Sequence, residues 1–163
     1  MIKGADFDAT HKYRHLLTRE WDCDKPKAAF IMLNPSTAND HDDDPTIRRC
    51  IRFAQEWGYG GLLVVNLFAL VSSDPKKLLT EPDAVGGSEN DFAIIKAVNN
   101  SDIVVCAWGS FKEAQKRAKE VLQLLRMGCC VYCLGQNKDG SPKHPLYIKA
   151  DTKPILMKPG APV

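Results

Sequence analysis

The sequence predicts a three-layer α/β/α sandwich around a mostly parallel four-stranded sheet, with an extra strand at the N-terminal edge. The first observation is a series of four apolar runs, each long enough for a strand that is buried on both faces. They are Ala28–Leu33, Leu62–Leu67, Ile103–Ala107 and Cys129–Leu134. The second observation is that amphipathic helical segments lie between these runs, an alternation typical of α/β proteins. Because crossovers between parallel strands are right-handed, we expect the four strands to share one direction.

The helix after the first strand has the clearest boundaries in the sequence. Asp44 is a good N-cap and Pro45 suits the first helical position, so a helix is predicted from Pro45 to about Trp57. The other elements are predicted from periodicity and from Gly, Pro and Asn breaks. They are a loosely held arm over Met1–Ala9, an edge strand over Thr10–Trp21, helices over about 89–100 (capped by Ser88) and 111–126, and a short extended piece over His144–Ile148.

The bulk composition is that of a single domain covering residues 1–163. With 44% hydrophobic residues the chain can bury one core, and a net charge of +2 is no global signature of polyanion binding. No apolar run is long enough to span a membrane, and no basic-then-apolar signal segment opens the chain. The six cysteines then indicate reduced thiols, so we expect a cytoplasmic protein without membrane association. The sequence leaves the oligomeric state open.

Polar residues collect where the predicted core strands end. These positions are Asn34, Asn66, Trp108-Gly109-Ser110 and Gly135-Gln136, with His144 shortly after. The carboxyl edge of an open α/β sheet is where such proteins bind ligands, so we expect a site there. A ligand at the first loop would be held by backbone N–H groups of residues 35 to 37 and by the helix that starts at Pro45.

The order of these motifs resembles the uracil-DNA glycosylase superfamily over most of the chain. Met32–Ser36 is similar to its first motif, in which an Asp or Asn before Pro holds the attacking water, and Val64–Asn66 to the strand whose terminal Asn reads the base edge. Ala107–Ser110 is similar to a strand that ends in Trp-Gly, and His144–Leu146 to the second motif, whose loop enters the minor groove. The chain looks closest to a bacterial and phage family that shares this fold, the domain-of-unknown-function family numbered 1643.

The resemblance implies a protein that binds a nucleobase, a nucleotide or a flipped base of a nucleic acid and hydrolyses an N-glycosidic bond. Asn34 would place the water, and His144 would support the negative charge that develops on the base. The implied substrate-binding residues are Pro35, Ser36, Thr37, Asn66, Phe68, Trp108, Gly109, Ser110 and Arg48. No cofactor and no metal ligand is assigned.

The sequence departs from the glycosylase pattern in three places. Position 34 is Asn rather than Asp and cannot act as a general base, and an aromatic residue just after the first motif is missing, so Phe68 or Trp108 would have to serve. The second motif lacks the usual serine after His-Pro. Four acidic residues at Asp40 and 42–44 argue against binding of duplex DNA unless a metal covers them. We expect Asp42 and Asp43 to stay in solvent or to bind a cation.

Two other classes of function therefore stay open. One is a non-enzymatic nucleotide-binding or sequestering protein with a cation at the acidic loop 40–44, and the other is a protein-interaction module that has lost the site. Each site residue also has a structural interpretation. Asn34 can bond its own turn, Asn66 can be a core bracket, and His144 can be a satisfied structural group.

Overall fold

The computed structural model describes residues 1–125 and 129–158. Within these residues the strands are β1 (Ile2–Phe7), β2 (Arg14–Glu20), β3 (Lys27–Met32), β4 (Gly61–Asn66), β5 (Ile103–Cys106), β6 (Tyr132–Cys133) and β7 (Ile155–Leu156). The helices are α1 (Pro45–Glu56), α2 (Lys77–Thr80), α3 (Gly87–Asn99) and α4 (Gln115–Leu124). All the strands belong to one sheet with the spatial order β1-β2-β4-β3-β5-β6-β7. None of the described helices is both long enough and apolar enough to cross a membrane.

The pairing of the strands corrects the predicted sheet. The four predicted core strands form and run parallel to one another, as β4-β3-β5-β6. The prediction that the sheet is mostly parallel is wrong, because β1–β2, β2–β4 and β6–β7 are antiparallel, half of the strand pairs among the described residues. Apolar runs reveal strands that are buried on both faces, whereas β1 and β7 lie at the sheet edges and are largely exposed.

Several element boundaries also differ from the predictions. The predicted arm Met1–Ala9 contains β1, which takes the sheet edge, so β2 is the second strand and not an edge strand. Ser88 lies inside α3, whose first turn follows Gly86 at φ +88°. The third helix starts as a 3-10 turn over Lys112–Ala114, and residues 145–147 form another 3-10 turn instead of an extended piece. The fourth strand is reduced to β6. The predicted end of the third helix at residue 126 lies outside the described residues.

The predicted start of α1 is confirmed. Asp44 accepts a hydrogen bond from Ile47 N at 2.8 Å, and Pro45 occupies the first turn. The helix packs its apolar stripe on one face of the sheet, against alternate residues of β3 and β4 such as Phe30 and Val64. The other residues of these strands, such as Ile31, face a second core that includes residues of α3 and α4. The sheet therefore has an α1 face and an α3/α4 face.

A β-bulge in β2 redirects one side chain toward the α1 face. Asp6 pairs with Leu16 and Phe7 pairs with Arg14, so His15 is an extra residue in β2. Without the bulge, alternation from Leu17 would send the side chain of residue 14 to the α3/α4 face. With it, Arg14 donates to Ala38 O at 2.8 Å on the α1 face.

The turn that leads into β4 leaves no room for a side chain at Gly60. A Cβ atom there would lie 2.0 Å from Asp22 O. We expect Gly60→Ala to lower the free energy of unfolding by about 2–3 kcal/mol, since the backbone must move. Gly58→Ala is the control, because Gly58 has φ +86° but nothing lies within 4 Å of an added Cβ. Its cost should be only about 1 kcal/mol. Equal costs in urea unfolding would contradict the steric argument.

Candidate functional site

The predicted polar strand ends lie on one edge of the sheet. Met32 at the end of β3 pairs with Asn66 at the end of β4, and Leu67 N donates to Met32 O at 2.9 Å. On the other side of β3, Ala107 N donates to Ile31 O at 2.9 Å. The main chains at residues 34, 66 and 108 are therefore neighbours at the carboxyl edge of the parallel strands, as predicted.

Asn66 is buried at this edge without a hydrogen-bond partner for its side chain. It is 1% exposed, and neither Oδ1 nor Nδ2 has a partner among the described residues. It follows Leu62 and Val64 at strand spacing, so its amide lies on the α1 face. A buried polar group without a partner costs about 1–3 kcal/mol. The interpretation of Asn66 as a core bracket finds no support in these contacts.

The main chain of Asn66 is held from the opposite face of the sheet. Asn90 Nδ2 donates to Asn66 O at 3.1 Å and to Leu67 O at 3.2 Å. Arg117 Nε donates to Leu67 O at 2.8 Å, and its Nη2 lies 2.6 Å from Asp91 Oδ1. The strand end is thus fixed through its carbonyl groups while the Asn66 side chain points to the other face. Neither Asn90 nor Arg117 was predicted as a functional residue. In the sequence each is only a polar residue at a helix position that is otherwise apolar.

Asn34 holds the first loop in place. Its Nδ2 donates to Pro35 O at 3.0 Å, to Leu70 O at 3.3 Å and to Ser72 O at 2.8 Å. Ser72 N in turn donates to Pro35 O at 2.9 Å. Since an amide group has two hydrogens, these carbonyls use the donor side of Asn34, and Oδ1 is the atom left for a ligand or a water. The contacts support the structural interpretation of Asn34 as a strand-end residue.

His144 is half-buried and neutral near physiological pH. Burial holds the pKa of His144 below its ordinary value of 6.5, against the opposing effect of the Asp44 carboxylate. Leu146 N donates to His144 Nδ1 at 3.3 Å. Because Nδ1 is an acceptor, the neutral ring carries its proton on Nε2 and can donate a hydrogen bond from there.

The turn that carries His144 packs between β5 and α1. Gly109 N donates to Pro142 O at 3.0 Å, and a Cβ on Gly109 would lie 3.6 Å from His144 Cβ. From α1, Arg49 Nη2 donates to Ile148 O. The structure therefore brings together the predicted site residues Gly109 and His144.

The predicted aromatic residues lie on the wrong face of the sheet to contact the Asn66 amide. Trp108 is buried in the α3/α4 core, and Phe68 packs against that core and against a small cluster around Leu70. Ser110 and Arg48 are exposed, and Arg48 donates to Asp43 O. The structure does not gather these four residues around Asn66.

Ser36 and Thr37 line a cleft of about 550 Å³ beside the first loop. Phe7 and His11 from the N-terminal hairpin line the same cleft, and their rings stack with centroids 4.9 Å apart. His11 has φ +58°, a backbone conformation that costs energy for a residue other than glycine. This pair was not predicted from the sequence, because Phe7 lies in the segment interpreted as an arm and His11 in the predicted edge strand.

The acidic loop is partly neutralised by side chains of β1 and β2. Asp43 Oδ1 lies 2.7 Å from Arg19 Nε, and its Oδ2 lies 3.3 Å from Lys3 Nζ. Asp44 caps α1, and Asp42 is exposed. Asp43 was expected to stay in solvent or to bind a cation. The first alternative is wrong, because its carboxylate is paired with two protein cations, Arg19 and Lys3. No group of three metal-ligating side chains suited to an ion occurs in residues 1–125 and 129–158.

The electrostatic effect of Asp44 on the pKa of His144 can be tested with a substitution that changes only the charge. Asn caps helices about as well as Asp, so Asp44→Asn should retain the fold while removing the charge that raises the pKa of His144. We expect the pKa of His144, measured by NMR titration, to fall further below 6.5. Asp42→Asn on the exposed part of the loop is the control. An unchanged pKa in Asp44→Asn, or the same change in both variants, would contradict the link.

The lowered pKa of His144 also determines how the stability of the fold changes with pH. The unfolded chain binds the His144 proton more readily than the folded chain, so this contribution to stability is present above about pH 6.5 and declines as the pH falls. His144→Asn should therefore reduce the loss of stability between pH 6.5 and lower values. Denaturant unfolding at several pH values measures this difference, and parallel curves for the two proteins would exclude it.

A family model connects the chain to known sequences. It is described as "Protein of unknown function (DUF1643)" and matches residues 14–146, which include β2 to β6 and the turn of His144. No curated protein and no solved structure matches the chain. The wider likeness to the uracil-DNA glycosylases stays a prediction. The chain belongs to the DUF1643 family.

Proposed function

We propose that this protein binds a nucleobase-type ligand at the carboxyl edge of β3, β4 and β5, and that it hydrolyses an N-glycosidic bond there. The observation that carries the proposal is the Asn66 amide, which is buried without a partner for either of its polar atoms. The main chain at this residue is fixed from the opposite face by Asn90. A fixed amide with an unpaired donor and an unpaired acceptor is ready to bind a complementary edge.

The edge of uracil is the complement of such an amide. It offers a carbonyl oxygen beside an N–H group, so Asn66 Nδ2 would donate to the oxygen and Oδ1 would accept from the N–H. Both hydrogen bonds would form away from water, because Asn66 is 1% exposed. A ligand without this edge would leave the amide unpaired and would be rejected.

His144 and Asn34 supply what hydrolysis would need. Neutral His144 donates from Nε2, and a donor aimed at the developing charge on the leaving base lowers the barrier. Asn34 Oδ1 accepts a hydrogen bond from water but cannot take its proton, so Asn34 orients the water. In this mechanism the rate depends mainly on stabilising the departing base.

The alternative is a protein that binds or sequesters a nucleotide without hydrolysing it. The contacts of Asn34 favour this alternative, since its amide donors already hold the loops at Leu70 and Ser72. The part of this hypothesis that puts a cation at loop 40–44 gains nothing from the described residues, because Asp43 is paired with Arg19.

Asn66→Asp tests the proposed recognition of a base. An ionised Asp has acceptors only and would face the base oxygen without a proton. We expect the variant to fold and to lose about 1–3 kcal/mol of binding free energy for uridine near neutral pH. Isothermal titration calorimetry of wild type and variant measures the loss.

Asn99→Asp is the matched control, since Asn99 is exposed at the end of α3. It should bind uridine as tightly as the wild type. Equal affinity of Asn66→Asp and wild type would remove the proposal's main support. If Asn66→Asp does not fold, Asn66→Ser makes the same test with a smaller side chain.

Release of base from a uracil-containing single-stranded oligonucleotide separates the enzyme from the binding protein. A single strand avoids the cost of flipping a base out of a duplex. The enzyme should release free uracil, and His144→Gln should slow the release by about 10²-fold. Chromatography of the products measures the rate. Binding without release would support the non-enzymatic alternative.

A further inference from the structure

Arg14 is a buried cation whose charge is not matched by a nearby carboxylate. It is 2% exposed, and its Nη1 donates to Ala38 O at 2.8 Å. Its Nε is buried without a partner, and no carboxylate oxygen of the described residues lies within 4 Å of the guanidinium. Burial lowers the pKa of Arg14 to about 10, and the more distant charge of Asp44 acts in the opposite direction. Buried charges in proteins are normally paired.

Arg19 on the same strand shows what a structural arginine looks like in this fold. It is 1% exposed, and its Nε lies 2.7 Å from Asp43 Oδ1. Its Nη1 donates to Gly4 O and Thr18 O, and its Nη2 donates to Asn39 O at 2.6 Å. Arg19 thus holds the acidic loop with all its nitrogens paired. Arg14 is buried to a similar extent but makes one hydrogen bond to the same loop, and its Nε has no partner among the described residues.

Arg14 and Asn66 both project to the α1 face, from adjacent strands. β2 pairs with β4, with Leu17 opposite Val64, and Arg14 N donates to Ala69 O at 2.9 Å. The bulge in β2 places the Arg14 side chain on the face that also carries the Asn66 amide. Two buried side chains with unpaired polar atoms therefore come from adjacent strands at the same end of the sheet.

We infer that Arg14 binds an oxyanion group of the ligand, a phosphate or a carboxylate, beside the amide edge that Asn66 recognises. The inference rests on the proposed function for the position of the site, and it narrows the ligand class. A guanidinium offers several N–H groups in one plane and matches both oxyanions with paired hydrogen bonds. The ligand is then an anionic molecule, such as a nucleotide or a pyrimidine carboxylate, instead of a neutral base or nucleoside.

The cleft beside the first loop lies next to the hydrogen bond that Arg14 makes. Ala38, the residue that accepts the hydrogen bond of Arg14, is also a wall residue of this cleft of about 550 Å³. Arg14 does not line the cleft itself, but its guanidinium is hydrogen-bonded to the main chain of a residue that does. Ser36 and Thr37 line the cleft as well, and their hydroxyl groups are further donors for oxyanion atoms.

Thermal unfolding at matched ionic strength tests the inference with four probes. They are inorganic phosphate, uridine 5′-monophosphate, orotate and uridine, each compared with sodium chloride. Inorganic phosphate should raise the Tm of the wild type, and uridine 5′-monophosphate or orotate should bind at least about tenfold more tightly than uridine. Arg14→Gln removes the charge and keeps a polar, shorter side chain. It should abolish the phosphate effect and reduce the affinity for the anionic ligand to that for uridine.

Arg52→Gln is the matched control, since Arg52 is an exposed arginine of α1 and should leave the phosphate effect intact. The inference is overturned if phosphate does not stabilise the wild type, or if Arg14→Gln responds as the wild type does. If Arg14→Gln does not fold, Arg14→Lys is used instead. It should weaken phosphate binding several-fold, because the lysine ammonium lacks the planar set of N–H donors of a guanidinium. Unchanged binding in Arg14→Lys overturns the inference equally.

The probes also separate this inference from the proposed function. Inorganic phosphate has no amide edge. If it does not raise the Tm of the wild type, the role inferred for Arg14 is wrong, while the proposed recognition of a base by Asn66 is not affected. Uridine has no oxyanion, so loss of uridine binding in Asn66→Asp depends on the amide alone. Binding of orotate but not of uridine 5′-monophosphate would identify the oxyanion as a carboxylate, and the reverse would identify it as a phosphate.

Discussion

The end of β4 depends on hydrogen bonds from two helices to main-chain carbonyl groups. Asn90 of α3 and Arg117 of α4 both donate to Leu67 O, and Asn90 donates to Asn66 O as well. A buried carbonyl needs such partners, and the charge of Arg117 is matched by Asp91. Since these contacts come from the α3/α4 face, they fix the backbone without using the side chain of Asn66. The geometry of the candidate site on the α1 face rests on this support from behind.

The buried polar side chains of this fold differ in how completely they are paired. On the α3/α4 side Arg117 has a carboxylate and a carbonyl as partners, and on β2 Arg19 is paired with the acidic loop. Such groups stabilise the scaffold. Asn66 and Arg14 have buried atoms without partners and lower the stability of the free protein. Among the described residues, buried side-chain atoms without a partner also occur on His15, Arg49 and Asn90. The proposed ligand would supply partners for the unpaired atoms of Arg14 and Asn66.

Hydrophobic periodicity in the sequence was enough to predict the strands that are buried on both faces of the sheet. The four core strands, the start of α1 at Asp44 and the shared edge were all predictable, because each leaves a local pattern. The exposed strands β1 and β7 leave no such pattern, so the mixed character of the sheet was missed. Asn66 was found because a polar residue interrupts an apolar run. Ala38 and Asp43 lie 24 residues from Arg14 and Arg19, and Leu67 lies 50 residues from Arg117, so no local rule connects these partners.

The acidic loop now bears on the choice between a small ligand and duplex DNA. From the sequence alone, the four acidic residues beside the site are expected to repel any nucleic acid. In the structure Asp43 is neutralised by Arg19 and Lys3, so the repulsion is weaker than the sequence suggests. Duplex binding nevertheless requires several exposed cations spaced along the phosphate backbone. Arg14 is a single buried cation beside a cleft, so it cannot supply such a row of contacts to a double helix. The arrangement of charge thus favours a mononucleotide-sized anion, or one extruded nucleotide, over an intact duplex.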